Sequence, residues 1–112
     1  HVRTTFNLFK YFSKSLGANG WGRVIVISPS TVKNPPEKRG VYTASKAAQE
    51  NMVLSLSAEL GQSGVTANII QVKAIDVENK GTGTSPEEIV AAMIYLFSDK
   101  ANKINGARIP LY

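Results

Sequence analysis

Arg23-Val24-Ile25-Val26-Ile27-Ser28 holds an unbroken run of four β-branched residues, Val24 to Ile27. A strand with one wet face alternates apolar and polar side chains. A run without alternation suits a strand covered on both faces, as in a parallel sheet between layers of helices. Before it, Ala18-Asn19-Gly20-Trp21-Gly22 reads as a turn. Earlier still, Val2, Phe6, Leu8, Phe9, Phe12 and Leu16 recur at helical spacing, and Gly17 stands where such a helix would stop. After it, Pro29, Pro35, Pro36 and Gly40 predict a loop, because proline donates to neither a sheet ladder nor a helix interior.

Farther along, residues 42–60 are rich in Ala, Leu, Met, Gln and Glu, contain no Gly or Pro, and predict a long helix. Gly61 and Gly64 end it. Residues 65–72 predict a second apolar strand, interrupted by Asn68 and Gln71. Residues 73–85 read as a polar loop, and its Gly81-Thr82-Gly83-Thr84 run as small, flexible and solvated. Ser85-Pro86-Glu87-Glu88 carries the marks of a helix start: Ser85 caps, Pro86 takes the first helical position and Glu88 closes a capping box. Ile89, Met93, Leu96 and Phe97 form that helix's apolar face, and a short strand follows at about 107–111. Alternating helices and strands predict an α/β layered fold, with parallel strands joined by right-handed crossovers.

Composition narrows the function classes. The chain has 112 residues, 43% of them hydrophobic, within the range of one globular domain. Without cysteine there is no disulfide framework and no thiolate zinc site, and a single histidine argues against an imidazole-rich metal site. No apolar run approaches the roughly 20 residues that span a bilayer, and no signal-peptide pattern is present, so a cytoplasmic protein with no membrane partner is expected. The net charge of +5 is scattered, with Lys38-Arg39 as its short cluster and no aromatic interleaving. That pattern reads as a solvated surface and not as a nucleic-acid groove.

The chemistry concentrates in Tyr42-Thr43-Ala44-Ser45-Lys46. Residues four apart share one face of a helix. A phenol titrates near 10 and transfers protons poorly at neutral pH, whereas an adjacent ammonium favours the phenolate and makes a tyrosine usable as a general acid or base. A serine hydroxyl from the end of the preceding strand could hydrogen-bond a carbonyl oxygen. Together these groups suit carbonyl–alcohol redox chemistry. Taken alone, the spacing suits a packed tyrosine with a solvated lysine better than it suits a catalytic pair.

Over essentially its whole length the sequence resembles the C-terminal half of the short-chain dehydrogenase/reductase family. The stretch from Gly22 to Ser28 resembles that family's strand leading to the catalytic serine, and Tyr42-Thr43-Ala44-Ser45-Lys46 its Tyr-x-x-x-Lys helix. Gly64-Val65-Thr66-Ala67-Asn68 resembles the next strand. Ser85-Pro86-Glu87-Glu88-Ile89-Val90, ending at Phe97-Ser98-Asp99, resembles the late helix, and Ile104-Asn105-Gly106 the start of the closing strand. The resemblance implies a Rossmann-like doubly wound parallel sheet with helices on both faces. Residues 1–112 would form the C-terminal portion of that single domain, and the dinucleotide-binding half would lie outside them. It also implies an NAD- or NADP-dependent oxidoreductase acting on a small-molecule alcohol or carbonyl. Tyr42 would be the acid/base, Lys46 would favour its phenolate and bind the nicotinamide ribose, and a serine would polarise the carbonyl. A homodimer or homotetramer is implied as well, with Phe6, Phe9, Phe12, Met52, Leu56 and Leu60 divided between core and interface.

Four features depart from the family's pattern. The position thirteen before the tyrosine, where the serine usually stands, is Pro29; Ser28 and Ser30 flank it, and Ser28 is slightly favoured because it follows the strand directly. His1 occupies the place of an asparagine that holds a relay water; its imidazole could bind a water, or its presence could be incidental. Val72-Lys73 replaces a Pro-Gly pair and Val77 a threonine, leaving the backbone of Ala74 and Ile75 to contact the cofactor. Fourth, the segment from Asp76 to Ser85 is short for substrate-covering helices, and no glycine-rich turn follows a strand to cradle a pyrophosphate. A non-catalytic relative serving as a binding or oligomerisation module is the competing reading.

Overall fold

A computed structural model of the chain describes residues 18–29 and 40–112, together with Arg3 and Asn7, both of which are helical. In order the elements are β1 (Gly22–Pro29), α1 (Gly40–Leu60), β2 (Val65–Val72), α2 (Pro86–Phe97) and β3 (Arg108–Pro110), with short 3-10 turns at Gly61–Ser63 and Asp99–Ala101. The predicted helix before Gly17 and its phenylalanines lie outside the described residues.

The three strands form one parallel sheet in the order β1-β2-β3. Its central strand, β2, is buried at all eight positions. The aliphatic residues of β1 are only half-buried, because among the described residues that strand has a neighbour on one edge alone. The continuous apolar run of β1 was expected to be covered on both faces, and it packs on both; β2 is nonetheless the more deeply buried strand, despite its polar interruptions. Asn68 shows why β2 tolerates them. Its side-chain amide donates to the Ile104 carbonyl at 2.8 Å and its oxygen accepts from the Ala107 N–H at 2.9 Å. Asn105 does the same from the other side, accepting from the Ala67 N–H at 2.9 Å and donating to the Ser57 carbonyl at 3.0 Å. The buried Asn68 and the more exposed Asn105, each satisfied at both ends, extend the β2–β3 edge where the ladder itself has not yet begun.

Two cores follow from strand alternation. Val24, Val26, Ala67 and Ile69 meet Val53, Leu56 and Leu60 of α1 on one face. Ile25, Ile27, Ile70 and Val72 meet Ile89, Met93 and Leu96 of α2 on the other. The helices therefore cover opposite faces, while each crossover steps to the next strand in the same direction. Two such crossovers have opposite hands, so one of them breaks the expected right-handed rule. The ordered segment 73–85 between β2 and α2 is long enough to carry the chain to the other face, which a tight connection would not do.

Local chemistry sets the boundaries. Helix α1 begins two residues earlier than predicted, at Gly40, and ends before Gly64, whose φ of +80° is left-handed. An added Cβ at Gly64 would lie 2.0 Å from the Gly20 carbonyl oxygen, so glycine is required there. At α2 the predicted capping box is present: the Glu88 N–H donates to the Ser85 hydroxyl at 3.1 Å, and the Ser85 N–H donates to Glu88 at 3.0 Å.

Candidate active site

Helix α1 starts at the sheet edge where β1 ends and runs back to the edge where β2 begins. Its first turns, with Tyr42 and Lys46, thus stand at the C-terminal edge of parallel strands, the edge at which open α/β sheets bind ligands. The Lys46 ammonium lies 5.9 Å from the centre of the Tyr42 ring, within cation–π range. Tyr42 keeps 41% of its surface exposed, so the phenol is within reach of a ligand.

Ser28 occupies a different environment. It retains 1% exposure, and its hydroxyl donates to the Glu50 carboxylate in the interface between sheet and helix. Alternation explains this: Ser28 follows Val24 and Val26 on the α1 face. The preference for Ser28 as the group facing substrate does not fit that placement, since a buried hydroxyl already donating to a carboxylate has no proton free for a carbonyl. Ser30 and His1 lie outside the described residues.

Glu50 itself, unremarked in the sequence, is wholly buried. A buried acid is costly without partners. Ser28 supplies one, and Arg108 of β3 supplies the other through Nε at 2.8 Å. The available signal was positional: Glu50 falls four residues after Lys46 and eight after Tyr42, on the same helix face.

At the ends of β2 and β3 opens a groove of about 610 Å³, walled by Lys73, Ala74, Gly83, Glu88, Leu111 and Tyr112. The glycine-rich run beside it is solvated at Gly81, Thr82 and Gly83, as its composition suggests, but it is tied down by hydrogen bonds. Asp76, 7% exposed, accepts from the backbone N–H groups of Lys80 at 3.0 Å, Gly81 at 2.7 Å and Thr82 at 3.3 Å. The Lys80 N–H above all, with those of Gly81 and Thr82, holds the Asp76 carboxyl below its ordinary range, against the opposing effect of burial. Thr84 closes the segment. Its N–H donates to the Ala74 carbonyl and its carbonyl accepts from the Asp76 N–H, both at 2.8 Å, while its hydroxyl donates to the Leu111 carbonyl. A Cβ on Gly83 would come within 2.5 Å of the Ala74 oxygen.

That bridge uses the peptide groups of Ala74, Asp76 and Thr84 but not those of Ile75, its pairing residue. Among the described residues nothing hydrogen-bonds the Ile75 N–H or carbonyl, and the residue is 52% exposed. Of the two backbones expected to meet a cofactor, Ala74 lines the groove with its carbonyl already engaged, and Ile75 offers a free donor and acceptor. A peptide N–H and carbonyl of this kind can pair with a primary amide. Among the described residues, no group of three acidic or histidine side chains is placed to hold a metal ion, and no helix is long and apolar enough to cross a membrane.

Comparison with known proteins agrees with this architecture. The chain is 29% identical over 129 residues to an NADPH-dependent aldehyde reductase-like chloroplastic protein of Arabidopsis thaliana, covering 99% of this chain and 48% of the relative. It is 29% identical over 124 residues to the 3-oxoacyl-[acyl-carrier-protein] reductase MabA of Mycobacterium tuberculosis, covering 95% and 50%. The chain thus spans about half the length of the curated relatives it matches. Among solved structures, a short-chain type dehydrogenase/reductase from Mycobacterium ulcerans superposes with a TM-score of 0.85 at 21% identity, over 96% of this chain and 46% of the other. Acetoin dehydrogenase from Enterobacter cloacae gives 0.85 at 20% identity, over 96% and 49%. These likenesses, at such identities, establish the Rossmann-like α/β fold. The profile of the family described as short chain dehydrogenase matches residues 1–88, and the chain belongs to that family.

Proposed function

We propose that residues 1–112 are the C-terminal, catalytic portion of a single Rossmann-like domain in an NAD- or NADP-dependent oxidoreductase that interconverts an alcohol and a carbonyl. The observation that carries this reading is the Tyr42–Lys46 pair at the C-terminal edge of the sheet, with Tyr42 exposed, Lys46 half-buried and the ammonium 5.9 Å from the ring. In reduction the Tyr42 hydroxyl donates its proton to the carbonyl oxygen; in oxidation the phenolate takes it from the alcohol. A cation in Lys46's place favours negative charge on the ring oxygen and can hold the ribose hydroxyls. Ser30 polarises the carbonyl in this reading, because the Ser28 hydroxyl donates to Glu50. The free peptide groups of Ile75, beside Ala74, hold the nicotinamide amide. When bound, that ring supplies or accepts the hydride at the substrate carbon. The reading includes a homodimer or homotetramer and a cytoplasmic location.

The second reading, a non-catalytic relative acting as a binding or oligomerisation module, draws on Pro29 in the serine's usual place and on Val72-Lys73 and Val77 in the cofactor segment. Fluorescence of NADH and NADPH titrated with the longest natural gene product separates the two. Binding of one nucleotide, with turnover that Tyr42→Phe lowers by about 10²–10⁴-fold while affinity is retained, supports the enzyme. Absence of binding to either nucleotide excludes it.

A further inference from the structure

We propose that Glu50 is a positioning residue, whose carboxylate ties the Tyr42–Lys46 face of α1 to both strands that flank β2. The role rests on the enzymatic reading above, but its geometry stands apart from it. One carboxylate oxygen accepts from Ser28 of β1 and the other from Arg108 of β3, at 2.8 Å. Strand β2 lies between these two strands, so the carboxylate bridges across the central strand. Arg108 pairs in register with Ile69, a residue of the α1-side core, which places it on the correct face. Around Glu50 the helix meets the sheet through aliphatic contacts, Val53 and Leu56 against Ala67 and Ile69. Such contacts are non-directional and let a helix slide or rotate over a sheet at little cost. Two oxygens bonded to two different strands do not, since either movement breaks one bond. Glu50 lies one helical turn beyond Lys46 and two beyond Tyr42, so whatever fixes its carboxylate fixes their direction. Ser28 is also the residue before Pro29, so the same bond fixes the end of β1.

The test uses the longest natural gene product and compares the wild type with Glu50→Leu, which fills the space without directional bonds, and Glu50→Gln, whose carbonyl oxygen can still accept from Arg108 while its NH₂ donates to the Ser28 hydroxyl in a reversed bond. Glu50→Leu is expected to raise amide hydrogen exchange in residues 40–46 about tenfold and to lower kcat about tenfold with KM nearly unchanged. Glu50→Gln should restore most of both. Wild-type exchange and wild-type kcat in Glu50→Leu overturn the proposal. Should Glu50→Leu fail to fold, Ser28→Ala, which removes one bond and leaves the Arg108 pair, is expected to shift both readouts in the same direction by about threefold; no shift in either overturns the proposal. A wild type without turnover defeats the enzymatic reading alone, since exchange at 40–46 still decides what Glu50 positions. A wild type silenced by Tyr42→Phe but indifferent to Glu50→Leu defeats the positioning role alone.

Discussion

Tyr42, Lys46 and Asp76 show how differently one side chain can be specified. The first two need only a helix, because a spacing of four puts them on one face wherever that helix lies. Lys46→Ala should weaken both turnover and nucleotide affinity, where Tyr42→Phe affects turnover alone; paired kinetics and fluorescence titration check this. Asp76 needs the chain to fold back on itself, since its partners are N–H groups four to six residues ahead. Its folded carboxyl titrates below the ordinary value, so its contribution is complete above about pH 4, where the unfolded side chain is already ionised. It is lost as pH falls through the lower folded value. Asp76→Asn should therefore melt below the wild type at pH 7, and the gap should close in strongly acidic solution. A gap independent of pH, measured by thermal unfolding, would contradict the charge-assisted role.

Among the elements, α2 was the most legible. Ser85, Pro86 and Glu88 specify its start through bonds made within four residues, so no tertiary information was needed. Ser85→Ala should cost about 1 kcal/mol, read as a lower unfolding midpoint in denaturant. The end of α1 is less local. Glycine was readable at position 64 as a helix stop, but its necessity comes from Gly20, which approaches it from the turn before β1. The Gly22 N–H donates to the Gly64 carbonyl at 3.1 Å, so the two turns are locked together. Gly64→Ala combines a positive φ with a backbone clash and should lower the thermal midpoint more than Ser85→Ala does. The segment 73–85 was the least legible. Its small residues read as solvated and flexible; residues 81–83 are exposed, yet the segment is gathered around one carboxylate and walls a groove.

For the molecule as a whole, surface and topology bear on assembly. Val90, Ile94, Tyr95 and Phe97 leave α2 with a partly exposed apolar side, whereas Leu56 and Leu60 of α1 pack into the core. The oligomer included in the proposed function should give at least twice the chain mass by light scattering or sedimentation of the longest natural product. A monomer at every concentration would contradict it. Right-handed crossovers were expected throughout because the rule treats each strand–helix–strand unit alone. The placement of α2 opposite α1 is a property of the assembled sheet, fixed by which residues of β1 and β2 face each way.

The sequence by itself determined the alternation of helices and strands, the capped start of α2, the shared face of Tyr42 and Lys46, and the family resemblance that the profile match bears out. All of these rest on periodicity and short-range bonding, which repeat wherever the residues occur. Only the tertiary structure decided that Ser28 turns to Glu50, that Arg108 reaches the same carboxylate from the last strand, that β2 is buried more deeply than β1, and that Asp76 orders its loop. Each of these depends on which distant backbone arrives beside a given side chain. A polar group's role is set by the partner that satisfies it, and sequence spacing fixes that partner only when it lies within a turn or two.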